Sequence, residues 1–164
     1  MKTATTPSTH SGMTLVEVML AVLLVAGFFA SIFELNAVCL RYIDATKESV
    51  AALQSVHDRC EKARNLAFTD LSNAAYLQTF MASAANVSDF CNKATETISV
   101  RAYPTANGIT HLTRNPQGAV TLDSTATDLG SLVQVDVTTT WNMTLGGRPR
   151  SEQTSTIISN GSKK

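Results

Sequence analysis

Hydrophobic and polar positions divide the chain into two parts. From Val18 to Phe33 the sequence is apolar and uncharged, interrupted only by Gly27 and Ser31. The stretch from Met13 to Phe33 has 21 residues. As a helix rising about 1.5 Å per residue it would be roughly 30 Å long, which matches the hydrocarbon core of a bilayer. The pattern predicts a hydrophobic helix that anchors the chain in a membrane.

The apolar run fits an anchor better than a cleaved secretory signal. A secretory signal has an apolar core of roughly 7–15 residues, followed by a small-residue cleavage site. Here the pairs of small residues, at positions 26–27 and 30–31, lie within the apolar run and not after it. The helical pattern also continues past the run without a break, so we interpret the run as an anchor.

The residues after the apolar run predict an amphipathic continuation of the same helix. Neither proline nor glycine occurs from Glu34 to Ala67. Apolar residues recur there at close to i, i+3, i+7 spacing, as expected for a helix with one apolar face. Charged residues between them predict a solvent-exposed face: Arg41, Asp44, Lys47, Glu48, Asp58, Arg59, Glu61, Lys62 and Arg64. We predict one helix from Met13 to about Ala67, whose second half packs on a sheet.

Beyond the long helix, the pattern changes to the alternation typical of β-strands. A short helix is predicted near residues 73–84, after which turn-forming residues separate the alternating segments. These segments are Thr97–Tyr103, Ile109–Thr113, Ala119–Leu122, Leu132–Met143 and Gln153–Ile158. We predict an α+β fold in which the long helix packs on a small antiparallel sheet of about four strands.

One acidic residue lies where a membrane helix should be apolar. Glu17 stands between Val16 and Val18, four residues after Met13. An ionisable group within a bilayer costs about 3 kcal/mol on insertion scales, so it usually has a functional partner. The alternative interpretation is that Glu17 lies near the interface and its carboxylate reaches water.

The surroundings of Glu17 resemble a known processing signal. Residues 11–21 read SGMTLVEVMLA. This is similar to the N-terminal signal of type IV prepilins and type II secretion pseudopilins, in which a polar leader ends in glycine and an apolar helix follows at once. In that family a glutamate is the fifth residue after the cut, as Glu17 is after Gly12. The usual basic residue before the glycine is missing here, and Met13 replaces the commoner phenylalanine.

The resemblance implies a structural subunit of a filament and not an enzyme. It implies cleavage between Gly12 and Met13 by a prepilin peptidase, N-methylation of Met13, and a role for Glu17 in assembly and register. The implied partners are the peptidase, other pilins or pseudopilins through the N-terminal helix, and the inner membrane; no cofactor is implied. Residues 12–21 look closest to the I-type minor pseudopilin of type II secretion and the V-type minor pilin of type IV pili.

The resemblance also implies a domain organisation and a location. It places a prepilin leader at 1–12, a hydrophobic helix at 13–38 and a soluble pilin-like domain at 39–164. Within the soluble domain we place a helix at 39–67, a connector at 68–94, the sheet at 95–159 and a tail at 160–164. The implied location is the bacterial inner membrane, crossed once, with the C-terminal domain in the periplasm; the flanking charges alone leave the orientation open.

Other functions remain as alternatives to a purely structural filament subunit. They are a stand-alone single-pass envelope protein, a tip adhesin or DNA-uptake subunit, and a membrane-tethered hydrolase. Arg148 and Arg150, with two C-terminal lysines, could contact phosphates, yet the 13 basic and 13 acidic residues give no overall bias towards nucleic acid. His57, Cys60 and His111 could together form a metal-binding site or include a catalytic base. The chain, however, has no zinc-binding or phosphate-loop motif.

Three cysteines occur in the chain: Cys39, Cys60 and Cys91. In an oxidising periplasm a disulfide can form. Cys39 is close to the predicted membrane segment, whereas the other two belong to the soluble domain. We predict a Cys60–Cys91 disulfide that closes the connection between helix and sheet, with buried free thiols as the alternative.

Overall fold

In a computed structural model the described residues, 14–105 and 107–161, form an α+β fold, as the sequence predicted. Three α-helices come first and five β-strands follow a short 3₁₀ turn at Asp89–Asn92. The elements are α1 (Leu15–Arg64), α2 (Phe68–Leu71), α3 (Ala74–Ala82), β1 (Thr95–Ala102), β2 (Ile109–Arg114), β3 (Val120–Ser124), β4 (Leu132–Asn142) and β5 (Pro149–Ser159). The predicted cleavage and methylation site at Gly12 and Met13 lies outside the described residues.

The chain divides into two compact units at Leu40/Arg41. In the first unit every described side chain, from Thr14 to Leu40, is exposed. The second unit holds the remainder of α1, the two short helices and the whole sheet. The unit boundary lies close to the end of the hydrophobic segment predicted at 13–38.

The long helix ends three residues before the predicted position. Helix α1 has 50 residues and its last is Arg64. The N–H of Leu66 bonds to the carbonyl of Ala63 at 3.1 Å, a tighter turn than the α-helical one. Ala67 then adopts an extended backbone, with φ −69° and ψ 149°, and α2 begins after it. The predicted short helix corresponds to α3, which Asn73 caps by accepting hydrogen bonds from two backbone N–H groups.

All five alternating segments are strands of one antiparallel sheet, in the order β3-β2-β1-β4-β5. The sheet therefore has five strands where we predicted about four. Four of the five residues of β3, the strand that corresponds to the segment predicted at 119–122, are exposed. It pairs with β2 across the turn at residues 115–118.

The main core lies between the helices and one face of the sheet. Alternation in β4 is clear, because Val133, Val135 and Val137 are fully buried and the residues between them are only half-buried. The other buried members of this cluster are Val56, Cys60, Ala63, Leu71, Leu77, Met81, Ile98, Val100, Leu112 and Leu129. Side chains from α1, α3 and the central strands thus form one hydrophobic cluster.

The burial of Arg59 contradicts the prediction that all charged residues of the amphipathic part of α1 face solvent. Its side chain is completely buried. Nε and Nη2 donate hydrogen bonds to the two carboxylate oxygens of Glu96 at 2.6 and 2.9 Å. Nη1 and Nη2 also donate to the carbonyls of Phe80 at 3.0 Å and Ser83 at 2.6 Å. The guanidinium therefore joins α1 to the end of α3 and to β1, with its charge paired and four of its five N–H donors in hydrogen bonds.

Candidate functional site at the start of the first helix

Thr14 positions the first turn of α1. Its Oγ1 accepts a hydrogen bond from the backbone N–H of Glu17 at 3.3 Å, and its carbonyl accepts from Glu17 at 3.0 Å and Val18 at 3.2 Å. This is the arrangement of an N-cap residue, and residues 14–17 have the threonine-to-glutamate spacing of a capping box. The sequence carries this capping signal, yet we predicted a helix start at Met13. The helix instead starts two residues later, at Leu15.

Glu17 carries the only charged side chain between residues 14 and 33. Its side chain is exposed, and no described residue forms an ion pair with its carboxylate. Because it lies in the first turn, its charge interacts favourably with the positive end of the helix dipole, typically by about 0.3–1 kcal/mol. That interaction is too small to offset the cost of an apolar environment, so a buried Glu17 carboxylate is costly unless a cation lies beside it.

The part of α1 that follows Glu17 has an exposed apolar surface. Among the described residues, α1 alone is long and apolar enough to cross a membrane, and the side chains of its most apolar window are unburied. The one hydroxyl of the run, Ser31 Oγ, donates to the carbonyl of Gly27 at 2.9 Å. Its polar group is thus satisfied within the helix, as a low-dielectric surrounding requires. Lipid or other apolar helices can cover such a surface.

The predicted Cys60–Cys91 disulfide is not formed in the structure, in which all three cysteines are free thiols. Cys60 lies in the core on α1. Cys91 instead donates from Sγ to Asn86 Oδ1 at 3.3 Å and lies 3.9 Å from the hydroxyl of Ser55. Ser55 precedes Cys60 by five residues, about 7.5 Å along a helix axis. Cys91 therefore packs beside an earlier turn of α1 than the one that carries Cys60.

The thiols are expected to differ in reactivity. Burial, with a smaller contribution from Glu61, raises the pKa of the Cys60 thiol and so lowers its thiolate fraction at neutral pH. In the full chain in detergent, we expect a maleimide to label exposed Cys39 rapidly, and to label Cys60 and Cys91 only after denaturation. Mass spectrometry without reduction measures the number of labels. A cross-linked peptide that contains both buried cysteines would contradict this prediction.

The residues considered as a catalytic or metal-binding group do not come together. His57 is exposed on α1, whereas Cys60 faces the core. His111 lies on the other face of the sheet, with Nδ1 2.8 Å from Oδ2 of Asp123. A hydrogen bond from Thr113, and then the His111 ring, lower the pKa of Asp123. In the part of the chain that the structure describes, no group of three or more metal-ligating side chains occurs.

Comparison of the chain with protein-family models, with curated proteins and with solved structures found no match. The N-terminal segment must therefore be interpreted from its own chemistry. Three features distinguish it: a capped helix start at Thr14, a carboxylate without a described counter-charge at Glu17, and an exposed apolar surface after it.

Proposed function

We propose that this chain is a structural subunit, a minor pilin or pseudopilin, of a type IV pilus or type II secretion pseudopilus. The observation that carries the proposal is Glu17, a lone carboxylate in the first turn of an exposed apolar helix. The resemblance of residues 11–21 to a prepilin signal supports it. So does the architecture, a long N-terminal helix and an antiparallel sheet, which is consistent with a pilin-like fold.

Processing of the N-terminus would supply the counter-charge that Glu17 lacks. Hydrolysis of the Gly12–Met13 peptide bond by a prepilin peptidase consumes one water and leaves a carboxylate on Gly12 and an α-amine on Met13. The amine stays cationic after methylation. When Met13 of one subunit lies against Glu17 of another, each charge neutralises the other, whereas either alone in an apolar core is costly.

This pairing would also select one arrangement of the subunits. Apolar side chains can pack against each other at many axial offsets, because dispersion contacts are not directional. A buried ion pair forms at only the offset that brings amine and carboxylate together, so other registers leave two uncompensated charges. Glu17 thus contributes specificity of register, and the apolar side chains contribute the contact area.

Cleavage after Gly12 is the first test of the proposal. When the full chain is expressed with a prepilin peptidase, we expect its intact mass to fall by the mass of residues 1–12. It should also rise by the mass that one N-methylation adds. Gly12→Trp should keep the precursor mass, because the bulky side chain blocks the residue before the cut. Ser11→Ala is the matched control and should be processed normally.

Two results of the same experiment would contradict the proposal. One is normal processing of the Gly12→Trp chain. The other is a native chain that inserts into the membrane but keeps residues 1–12 in the presence of the peptidase. The second result would favour the stand-alone single-pass envelope protein.

A further inference from the structure

Two asparagines of the chain are followed directly by glycine, at Asn107–Gly108 and Asn160–Gly161. An asparagine in this setting can lose ammonia, because the backbone nitrogen of the next residue can attack the carbon of the side-chain amide. Glycine favours the attack, since it has no Cβ to shield its nitrogen and adopts many backbone conformations. The two pairs lie at different places in the fold, so their surroundings decide which of them reacts faster.

Asn160 directly follows β5 and is anchored there by its own backbone. Its N–H donates to the carbonyl of Ser131 at 2.8 Å, just beyond the last residue pair of β4 and β5. Asn160 and Gly161 are both exposed. Within residues 14–105 and 107–161, neither the side chain of Asn160 nor the N–H of Gly161 forms a hydrogen bond. Rotation about the Cα–C bond of Asn160 therefore brings the two reacting groups together without breaking a described hydrogen bond.

Gly108 is more constrained than Gly161. Its φ angle is 108°, and a Cβ at this position would lie 3.4 Å from the Cα of Ala126. Strand β2 begins at the next residue, Ile109, whose carbonyl accepts a hydrogen bond from Oγ of Ser124 at 2.6 Å. Rotation of the backbone at Asn107 would therefore displace a glycine that packs against a neighbouring segment at the start of a strand. Although Asn107 is exposed, its geometry opposes the attack.

We propose that Asn160 is a site of spontaneous deamidation. The backbone nitrogen of Gly161 loses its proton to a base and attacks Cγ of Asn160, which closes a succinimide ring. The bond from Cγ to Nδ2 breaks, and Nδ2 takes up a proton and leaves as ammonia. Water then opens the ring at either carbonyl and gives aspartate or isoaspartate. Each conversion replaces a neutral amide with a carboxylate and lowers the formal net charge of zero by one.

Incubation of the purified full chain in detergent, at neutral and at mildly alkaline pH, tests the proposal. Peptide mapping by mass spectrometry should show conversion at Asn160 about tenfold faster than at Asn107, a difference of about 1.4 kcal/mol in the barrier. The rate should rise with pH, because the attacking nitrogen must lose its proton. Isoaspartate among the products identifies the succinimide route, since direct hydrolysis of the amide gives aspartate alone. The outcome is independent of prepilin processing.

Gly161→Ala should slow the conversion about tenfold, because the added methyl group hinders the attacking nitrogen. Among the described residues a Cβ at this position meets only Oγ of Ser159, at 3.4 Å, so the variant should fold normally.

Unfolding in guanidinium chloride is the control for the role of the fold, and it should bring the rates at Asn160 and Asn107 close together. Conversion at Asn107 as fast as at Asn160 in the folded chain would overturn the proposal. Aspartate as the only product, or an unchanged rate in Gly161→Ala, would overturn it too. A rate difference that persists in the unfolded chain would show that the fold does not select Asn160, which also contradicts the inference.

Discussion

Glu96→Ala is expected to lower the free energy of unfolding of the second unit by about 3–5 kcal/mol. The substitution leaves the guanidinium of Arg59 fully buried, with its hydrogen bonds to the carbonyls of Phe80 and Ser83 but without its counter-charge. Small domains have a total stability of about 5–15 kcal/mol. The variant should therefore be close to the limit of folding.

Urea unfolding of the full chain in detergent measures this loss. Trp141 is the single tryptophan and packs edge-to-face on Phe90 at 5.4 Å, so its fluorescence reports loss of the fold. Glu61→Ala is the control, because it breaks the exposed Arg64–Glu61 pair at 2.7 Å and should cost less than about 1 kcal/mol. Similar losses in the two variants would show that the buried pair has no special role.

A double substitution separates loss of charge pairing from loss of packing. Arg59→Met with Glu96→Leu removes both buried charges and keeps apolar volume, so it should recover most of the stability that Glu96→Ala loses. Recovery will be incomplete if the carbonyls of Phe80 and Ser83 find no new donor. A double variant less stable than Glu96→Ala would contradict the explanation.

Glu17→Gln is expected to abolish assembly while leaving insertion, processing and protein level normal. Glutamine keeps the shape of the side chain but removes the charge, so a neighbour's N-terminal amine would be buried beside a neutral group, at about 3 kcal/mol for each subunit contact. The helix start should be unaffected, because Thr14 accepts from the backbone N–H of residue 17 and not from its side chain.

Cross-linking to partner pilins, with piliation or secretion as the functional readout, measures the effect of Glu17→Gln. Glu34→Gln is the matched control, since it removes an exposed carboxylate from the same helix after the apolar run. It should assemble normally. Full assembly of Glu17→Gln at normal protein level would mean that Glu17 only reaches water at the interface and has no role in register.

The elements and their order follow from local patterns. The apolar run, the absence of glycine and proline from residue 34 to 67, and the change to alternation near residue 95 are each readable over a few turns or strands. Such periodicity reports which face of an element is apolar, and therefore which element it is. The start of α1 is equally local, because the cap joins Thr14 to a residue three positions away. The sequence contains the local signals for these features, but the helix start predicted at Met13 was wrong, because the cap at Thr14 was not considered.

Contacts between distant residues were decided only by the tertiary structure. Arg59 and Glu96 are 37 residues apart, and Glu48 and Thr144 are 96 apart. The sequence does not show whether a charged residue of a helix is solvated or paired in the core. The prediction therefore placed Arg59 wrongly on the solvent-exposed face. The disulfide prediction failed for the same reason. The thiol of Cys91 lies beside Ser55 and is not bonded to Cys60. Periodicity determines the face of each element, but packing determines which faces meet.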